Sequence, residues 1–461
     1  MKELKVKDIL QICNGRLICG NEDEICSDFS KDTRQIKAGD VYVGIKGDNF
    51  DGSLFYEEAI NKGAKVCLLE EIETLKELHK QYKDVTIVTV KDTIEALQKL
   101  ASYKRSMYDI PVIAVTGSVG KTSTKDILAS IISTQYKVLK TEGNLNNHIG
   151  LPLTILKLKD HTALVIEMGM SSLGEISKLT NIAKPTICVI TNVGTSHIGN
   201  LGSRENILKA KLEILEGMDK TGTLVINNDN DLLNDWNKNN TTYNVATFGI
   251  ESNSDVIANE IELKEYSSEF TAKIDSEELL VKVPVGGQHF VYNALCAITV
   301  GKLLNIPFQK ILNGIENFEL TKNRMDIKKN SKGVTIINDC YNANYDSMKA
   351  AIEYISKMTT KRKITVLGDM LELGEYSKGL HEKVGEEVAK NNIDILVTVG
   401  EEAKHIITSG IEHGMNKENI FNYKTNEEAI KKLKEILKSG DVVLIKASNG
   451  MHFNEIAEQI S

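Results

Sequence analysis

Several things are scarce in this chain, and each scarcity excludes a class of protein. Only 5 prolines occur in 461 residues, no tract is low in complexity, and 41% of residues are apolar. Such a chain is expected to fold around packed cores rather than stay disordered. No run of 18 apolar residues occurs, and the opening stretch MKELKVKDILQICNGRL lacks an apolar core of signal-peptide length, so neither membrane insertion nor export is expected. The seven cysteines (Cys13, Cys19, Cys26, Cys67, Cys188, Cys296, Cys340) are odd in number and contain no CxxC pair. That argues against a disulfide framework or a zinc site and for reduced thiols in the cytoplasm. Positive charge is also short: 56 Lys and Arg against 64 Asp and Glu give a net charge of −8. A nucleic-acid partner is not expected, and any anionic ligand must be held by local donors rather than by the overall field.

What is present alternates. Residues 1–108 carry strand-like DVYVGIKG and KVCLLEE with the helix-like LFYEEAINKGA between them, a small α/β unit. Over 109–320, the apolar runs VIAVTG, ALVIEMG, TICVITNVG and TLVINNDN alternate with helical patterns. Continuous apolar strands of this kind belong to a parallel sheet covered on both faces. Over 321–461 the same rhythm returns in GVTIINDCY, KITVLGD, DILVTVG and DVVLIKAS, which reads as a Rossmann-like doubly wound sheet. The fold class is therefore α/β in three domains.

The sharpest local signal is VIAVTGSVGKTSTKDILASII, from Val112 to Ile132: a buried strand, a glycine-bearing turn and an amphipathic helix. Thr116, Gly117, Ser118, Val119, Gly120, Lys121, Thr122 and Ser123 would cradle phosphate. Backbone N–H groups point inward there, the helix N-terminus adds positive potential, and Lys121 is a mobile cation. Thr122 could offer its hydroxyl to Mg²⁺. The plain alternative is a Gly-rich turn with a solvated lysine. The usual glycine five positions before Gly120 is replaced by Val115, so this loop is a shorter T-G-x-x-G-K-T.

Strand C-terminal ends share one sheet edge, where ligands bind. Glu167, ending ALVIEMG, and His197, after TICVITNVGTS, fall beside the loop by that rule. They could ligate Mg²⁺ or simply cap a helix and hydrogen-bond a loop. Lys211 lies in SRENILKAKLEILEG, where a helical wheel puts it amid Ile207, Leu208, Leu212, Ile214 and Leu215, with Lys209 and Glu213 opposite. Such a lysine snorkels by default. If truly buried, it becomes a neutral, reactive amine able to take up CO₂ as a carbamate.

Together TGSVGKTSTKD, EMGMSSLGEISKLTNIAKPTICVITNVGTSHI, ILKAKLEIL and INNDND resemble the Mur ligases of peptidoglycan synthesis, which share the short loop. The resemblance implies ATP as cosubstrate, two Mg²⁺ ions held by Thr122, Glu167, His197 and Lys211, and a carbamylated Lys211. With Lys121, the residues Glu167, His197 and Lys211 form the implied catalytic set. TEGNLNNHIGLPLTIL is similar to the member that adds D-alanyl-D-alanine to a UDP-N-acetylmuramoyl-tripeptide, implying substrate contacts from Asn144, Asn146 and Asn147. Three asparagines in a loop are otherwise ordinary turn formers.

SKDTRQIKAGDVYVGIKGDNFDGSLFYEEAINKGA resembles the family's UDP-sugar module, implying Thr33 and Arg34 near the nucleotide-sugar. GGQHFVYNALCAI implies Asn293 at the adenine. KNRMDI and INDCYNANYDSM imply Arg324 and Asp339 reaching ATP across a domain gap. Lys446 and Ser448 stand where the family binds peptide. Two positions depart from the family's pattern. Tyr345 replaces a proline, which is expected to loosen that turn. Asn449 replaces an arginine, removing a bidentate carboxylate clamp. The resemblance implies a monomer making an amide through an acyl phosphate. Its rivals are a sister ligase of other substrate, a folate-type ligase, and a nucleotide switch or inactive subunit. The switch could dispense with Glu167, His197 and Lys211.

Overall fold

The computed structural model describes residues 3–47, 50–71, 82 and 84–461. Asp48 and Asn49 of the UDP-sugar-like string lie outside the described residues. Three large sheets carry the α/β architecture, and their helices cover both faces as the apolar strand runs require. The N-terminal sheet has five strands, ordered Arg16–Cys19, Thr86–Val90, Val66–Glu70, Val41–Val43 and Phe29–Ser30, parallel except for the first. Val66–Leu69 and Val41–Val43 are wholly buried.

The middle sheet has nine strands. Val112–Thr116 lies inside it, between Ala163–Glu167 and Ile187–Ile190, all parallel. The chain builds outward first on the Ala163 side and then on the Ile187 side, so Val112–Thr116 is where the strand order reverses. A crevice opens at the carboxyl ends of such strands. Register brings Glu167 level with Val115 and Ile190 level with Thr116, so the chemistry-bearing loops emerge together.

One part of the middle block differs from the expected all-parallel sheet. After Asn244–Gly249 and the parallel Val256–Leu263, the strands Ser268–Ile274 and Glu277–Val283 run antiparallel as a meander. Their signal is the alternation in SEFTAKI, buried on every second residue, which marks one covered face rather than two.

The C-terminal sheet has six strands, ordered Asp326–Lys329, Thr335–Asn338, Asp441–Lys446, Arg362–Gly368, Ile395–Val399 and Ile420–Tyr423, parallel except for the first. Tyr345 does not loosen its turn. It opens the helix Tyr345–Ser356, and Asn344 caps that helix by a reciprocal pairing with Ser347. The first helical position tolerates proline because its N–H needs no partner. Here the tyrosine gains a hydroxyl contact to Glu387 at 3.3 Å instead. All seven cysteines are free thiols, and among the described residues no helix is long and apolar enough to cross a membrane.

Candidate active site

The loop after Val112–Thr116 is held open by its neighbours. Gly117 adopts φ 151°, and a Cβ there would meet Thr191 Oγ1 at 1.9 Å, so no side chain fits. Gly120 adopts φ 83° just before the helix Lys121–Ser133, where a Cβ would crowd Asn293 Oδ1 at 2.9 Å. Thr191 and Asn192 clamp the loop: both donate to the Val119 carbonyl, at 2.6 and 3.0 Å, and Asn192 Oδ1 accepts from Val119 N. No side chain caps the helix, so its first-turn N–H groups are left for a ligand.

This loop forms the floor of a cavity of about 450 Å³. Ser118 through Ser123 line it, as do Glu167 and His197 at the strand ends and following loops of the middle sheet, Asn293 from the helix Gln288–Leu303, and Arg324, Asp339 and Lys446 from the ends and loops of the C-terminal sheet. Thr122 donates its hydroxyl to Glu167 Oε2 at 2.8 Å, and Asn146 Nδ2 donates to the other carboxylate oxygen at 2.8 Å. Thr116, at the end of the strand that feeds the loop, is buried, its Oγ1 without a hydrogen bond among the described residues.

Of the three asparagines, Asn146 therefore positions the carboxylate. Asn147 is a turn former, accepting from Ile149 N and Gly150 N at 3.1 and 2.9 Å. Asn144 faces the cavity rim, exposed. Lys121 donates to the Gly117 carbonyl at 2.8 Å. Burial lowers its pKa, Glu167 opposes that shift, and the nearby Arg324 adds to it.

Two donors aimed into the site are unused. Among the described residues Asn293 Nδ2 and Arg324 Nε are buried without hydrogen-bond partners, although Thr124 donates to Asn293 Oδ1 at 3.1 Å and Arg324 stacks over Tyr341 at 4.1 Å. Buried orphan donors are rare and mark places where a ligand completes the pairing. Lys446 is different from expectation. Its ammonium donates to Asp339 Oδ2 at 2.5 Å and to the carbonyls of Asp339 and Asn342 at 3.2 and 3.0 Å. All three protons are spent on the loop, so it braces Asp339 instead of offering a donor to a peptide. Ser448 also looks inward, accepting from Leu371 N at 2.9 Å, and it lines a smaller cavity of about 160 Å³ beside His197.

Lys211 does not snorkel. It is 1% exposed, packed with the buried Ile207, Ala210 and Ile214. No hydrogen bond or ion pair engages its amine among the described residues. Burial, with the charge of Lys121, holds its pKa well below the usual lysine range. The wheel placed Glu213 on the polar face, and it caps the neighbouring helix there, accepting from Gly174 N and Ser177 N. His197 sits in left-handed backbone with Nδ1 2.5 Å from Glu372 Oε2. Burial and Lys121 depress its pKa, and Glu372 partly restores it.

Thr33 and Arg34 are not brought to this cavity. Thr33 donates to Glu58, and Arg34 is exposed and doubly paired with Asp32.

The site also contains residues that sequence patterns did not single out. Asp229, behind the cavity wall, accepts from Ile250, Glu251 and Ser252 backbone N–H groups and from the hydroxyl of the cavity-lining Tyr292 at 2.9 Å. His289, also lining the cavity, has its pKa lowered to about 4 by burial. The sign is that of a group stabilising the fold when neutral: its contribution is complete above about pH 6.5 and lost as pH falls toward 4. The thermal midpoint is expected to fall over that window, and a His289→Gln variant should show a shallower fall in the same calorimetric series.

Three family models cover most of the chain: the Mur ligase middle domain over residues 115–301, the Mur ligase glutamate ligase domain over 323–449 and the Mur ligase catalytic domain over 30–105. The chain belongs to the Mur ligase family. It is 36% identical over 459 residues to the UDP-N-acetylmuramoyl-tripeptide–D-alanyl-D-alanine ligase of Bacillus subtilis (strain 168), covering 99% of this chain and 98% of that one. It is 30% identical over 466 residues to the Escherichia coli (strain K12) ligase of the same description, covering 100% and 99%. Among solved structures, MurF of Acinetobacter baumannii matches with a TM-score of 0.88 at 28% identity over 100% and 99% of the two chains. MurF ligase of Thermotoga maritima in complex with ADP matches at 0.81 and 30% identity over 94% and 96%.

Proposed function

We propose that this Mur ligase family member is an ATP-dependent ligase. It joins D-alanyl-D-alanine to a UDP-N-acetylmuramoyl-tripeptide and so completes the cytoplasmic peptidoglycan precursor. The observation that carries the reading is the single cavity in which the phosphate loop and Glu167 face Arg324 and Asp339 of another sheet, with orphan donors on both walls. A division into 1–108, 109–320 and 321–461 would make that cavity an interdomain one. Thr33 and Arg34 are carried over for the UDP-sugar by resemblance alone.

A carboxylate is a poor electrophile, so it must first be activated. A carboxylate oxygen of the tripeptide attacks the γ-phosphorus of ATP, and ADP leaves. The amine nitrogen of the dipeptide then attacks the acyl carbon; the C–N bond forms, phosphate departs and the amine loses a proton. Both steps crowd negative charge. Lys121 and the uncapped helix N-terminus neutralise the phosphates, Arg324 and Asn293 offer their unused N–H groups to the nucleotide, and the C-terminal wall excludes water.

The donor set fits Mg²⁺. The Glu167 carboxylate stands beside the Thr122 hydroxyl at the phosphate loop, a donor pair that suits an ion bound through one or two carboxylates plus substrate phosphates. Thr122 and Glu167 would hold one ion, His197 and Lys211 a second, and the ions would supply further charge neutralisation. Lys211 fits as a carbamate, since an ammonium would repel a cation and Mg²⁺ takes oxygen ligands rather than an amine. Its neutral amine adds to CO₂, forming the N–C bond and releasing one proton; its burial and depressed pKa support this.

The test is phosphate release with the UDP-tripeptide while the amine is varied among D-alanine, D-alanyl-D-alanine and L-amino acids. Turnover is expected only with the dipeptide. Preference for a single amino acid would reassign the chain to a sister ligase, and release needing no amine would sink the ligase reading.

A further inference from the structure

His197 and Glu372 belong to different sheets, yet their side chains meet at 2.5 Å. Both hold left-handed backbone, at φ 62° and 63°, a conformation that non-glycine residues keep only where the surroundings enforce it. The two loops are seated backbone on backbone. Gly199 N donates to the Glu372 carbonyl at 3.2 Å. A Cβ at Gly199 would come within 2.6 Å of Gly374 N and Leu373 C. The Tyr376 hydroxyl donates to the Gly202 carbonyl at 2.5 Å. An ordinary surface ion pair contributes little, but it needs neither paired left-handed residues nor a glycine at the contact.

The geometry points to Glu372 as a positioning residue for His197, delivered by the C-terminal wall. Its carboxylate accepts the hydrogen bond from Nδ1–H, which fixes the ring and leaves Nε2 as the lone-pair nitrogen at the cavity His197 lines. A ring nitrogen held this way is set up as a ligand, because the partner of one nitrogen decides what the other can do. The pairing exists only while the two loops touch, so approach of the C-terminal wall and readiness of His197 are one event. This assignment rests on the ligase reading above.

Two variants and two readouts test it. Glu372→Ala should lower kcat about 10- to 100-fold, with KM for ATP and the thermal midpoint unchanged. Glu372→Gln, whose amide oxygen can still accept from Nδ1–H, should recover most of that loss. Side-chain ¹⁵N NMR of His197 should show the Nδ1–H tautomer in the wild type, with the Nε2–H form gaining in Glu372→Ala. Gly199→Val, which holds the loops apart, should reproduce both changes. An unchanged tautomer in Glu372→Ala overturns the proposal, whether kcat is kept or falls together with the thermal midpoint. If the wild type releases phosphate without an amine, the ligase reading fails while the tautomer still decides the role of Glu372.

Discussion

Replacing Lys211 with alanine is expected to abolish ligation, a loss of about 10³-fold or more, while the thermal midpoint stays level or rises. The two halves of that result have one cause. The amine is buried, no hydrogen bond or ion pair engages it among the described residues, and a buried unpaired polar group costs stability. Removing it relieves that cost, offset by the cavity left behind. Lys211→Met, which fills the same volume with an apolar chain, should raise the midpoint more clearly and remain inactive. A residue that the fold keeps at a loss is one that function requires. The proposed carbamate has its own readout: ¹³C-bicarbonate should give a carbamate NMR signal in the wild type that Lys211→Ala lacks, and absence of that signal from the wild type would refute it. Near-normal turnover by Lys211→Ala would remove the lysine from the chemistry.

The second large effect belongs to Lys121. Lys121→Ala is expected to lower kcat/KM for ATP by about 10³-fold, the scale of losing one preorganised donor at a developing charge. Before nucleotide arrives its ammonium rests on the Gly117 carbonyl, and burial disfavours its charge. Phosphate oxygens reverse that preference, so the cation is strongest where it is needed. Lys121→Arg should not rescue, because a planar fork cannot occupy the space of a point charge between the loop and Glu167. Steady-state kinetics with ATP varied, beside a nucleotide-binding isotherm, separate the charge effect from lost affinity. Less than a tenfold change would deny Lys121 a place at the γ-phosphate.

What could be read from residues alone follows the range over which the physics acts. The loop from Thr116 to Ser123 is a local signal, carried by glycines and by the switch from strand to helix, and Lys211 stood out because a wheel needs only fifteen residues. Contacts across long separations had no such signal. Thr191 and Asn192 clamp a loop more than 70 residues earlier, Asp229 holds Tyr292 63 residues on, and Glu372 reaches His197 across 175. No periodicity encodes those meetings. Lys446 shows the same limit: its type and neighbourhood are legible, but not that Asp339 and Asn342 already use all its protons. At Tyr345 the departure from expectation is local, since the Asn344 cap holds the turn without the proline.

The meander that ends the middle sheet bears on how the molecule keeps to itself. Its outer strand, Glu277–Val283, is hydrogen-bonded on one side only, an open template to which a strand of another molecule could add. Glu277, Glu278 and Lys282 stand exposed along it, so an added strand would have to strip water from three charges. The opposite edge, Val138–Lys140, is three residues long and offers too short a ladder to hold a guest. Charge at one border and brevity at the other protect a nine-strand sheet from edge-to-edge aggregation.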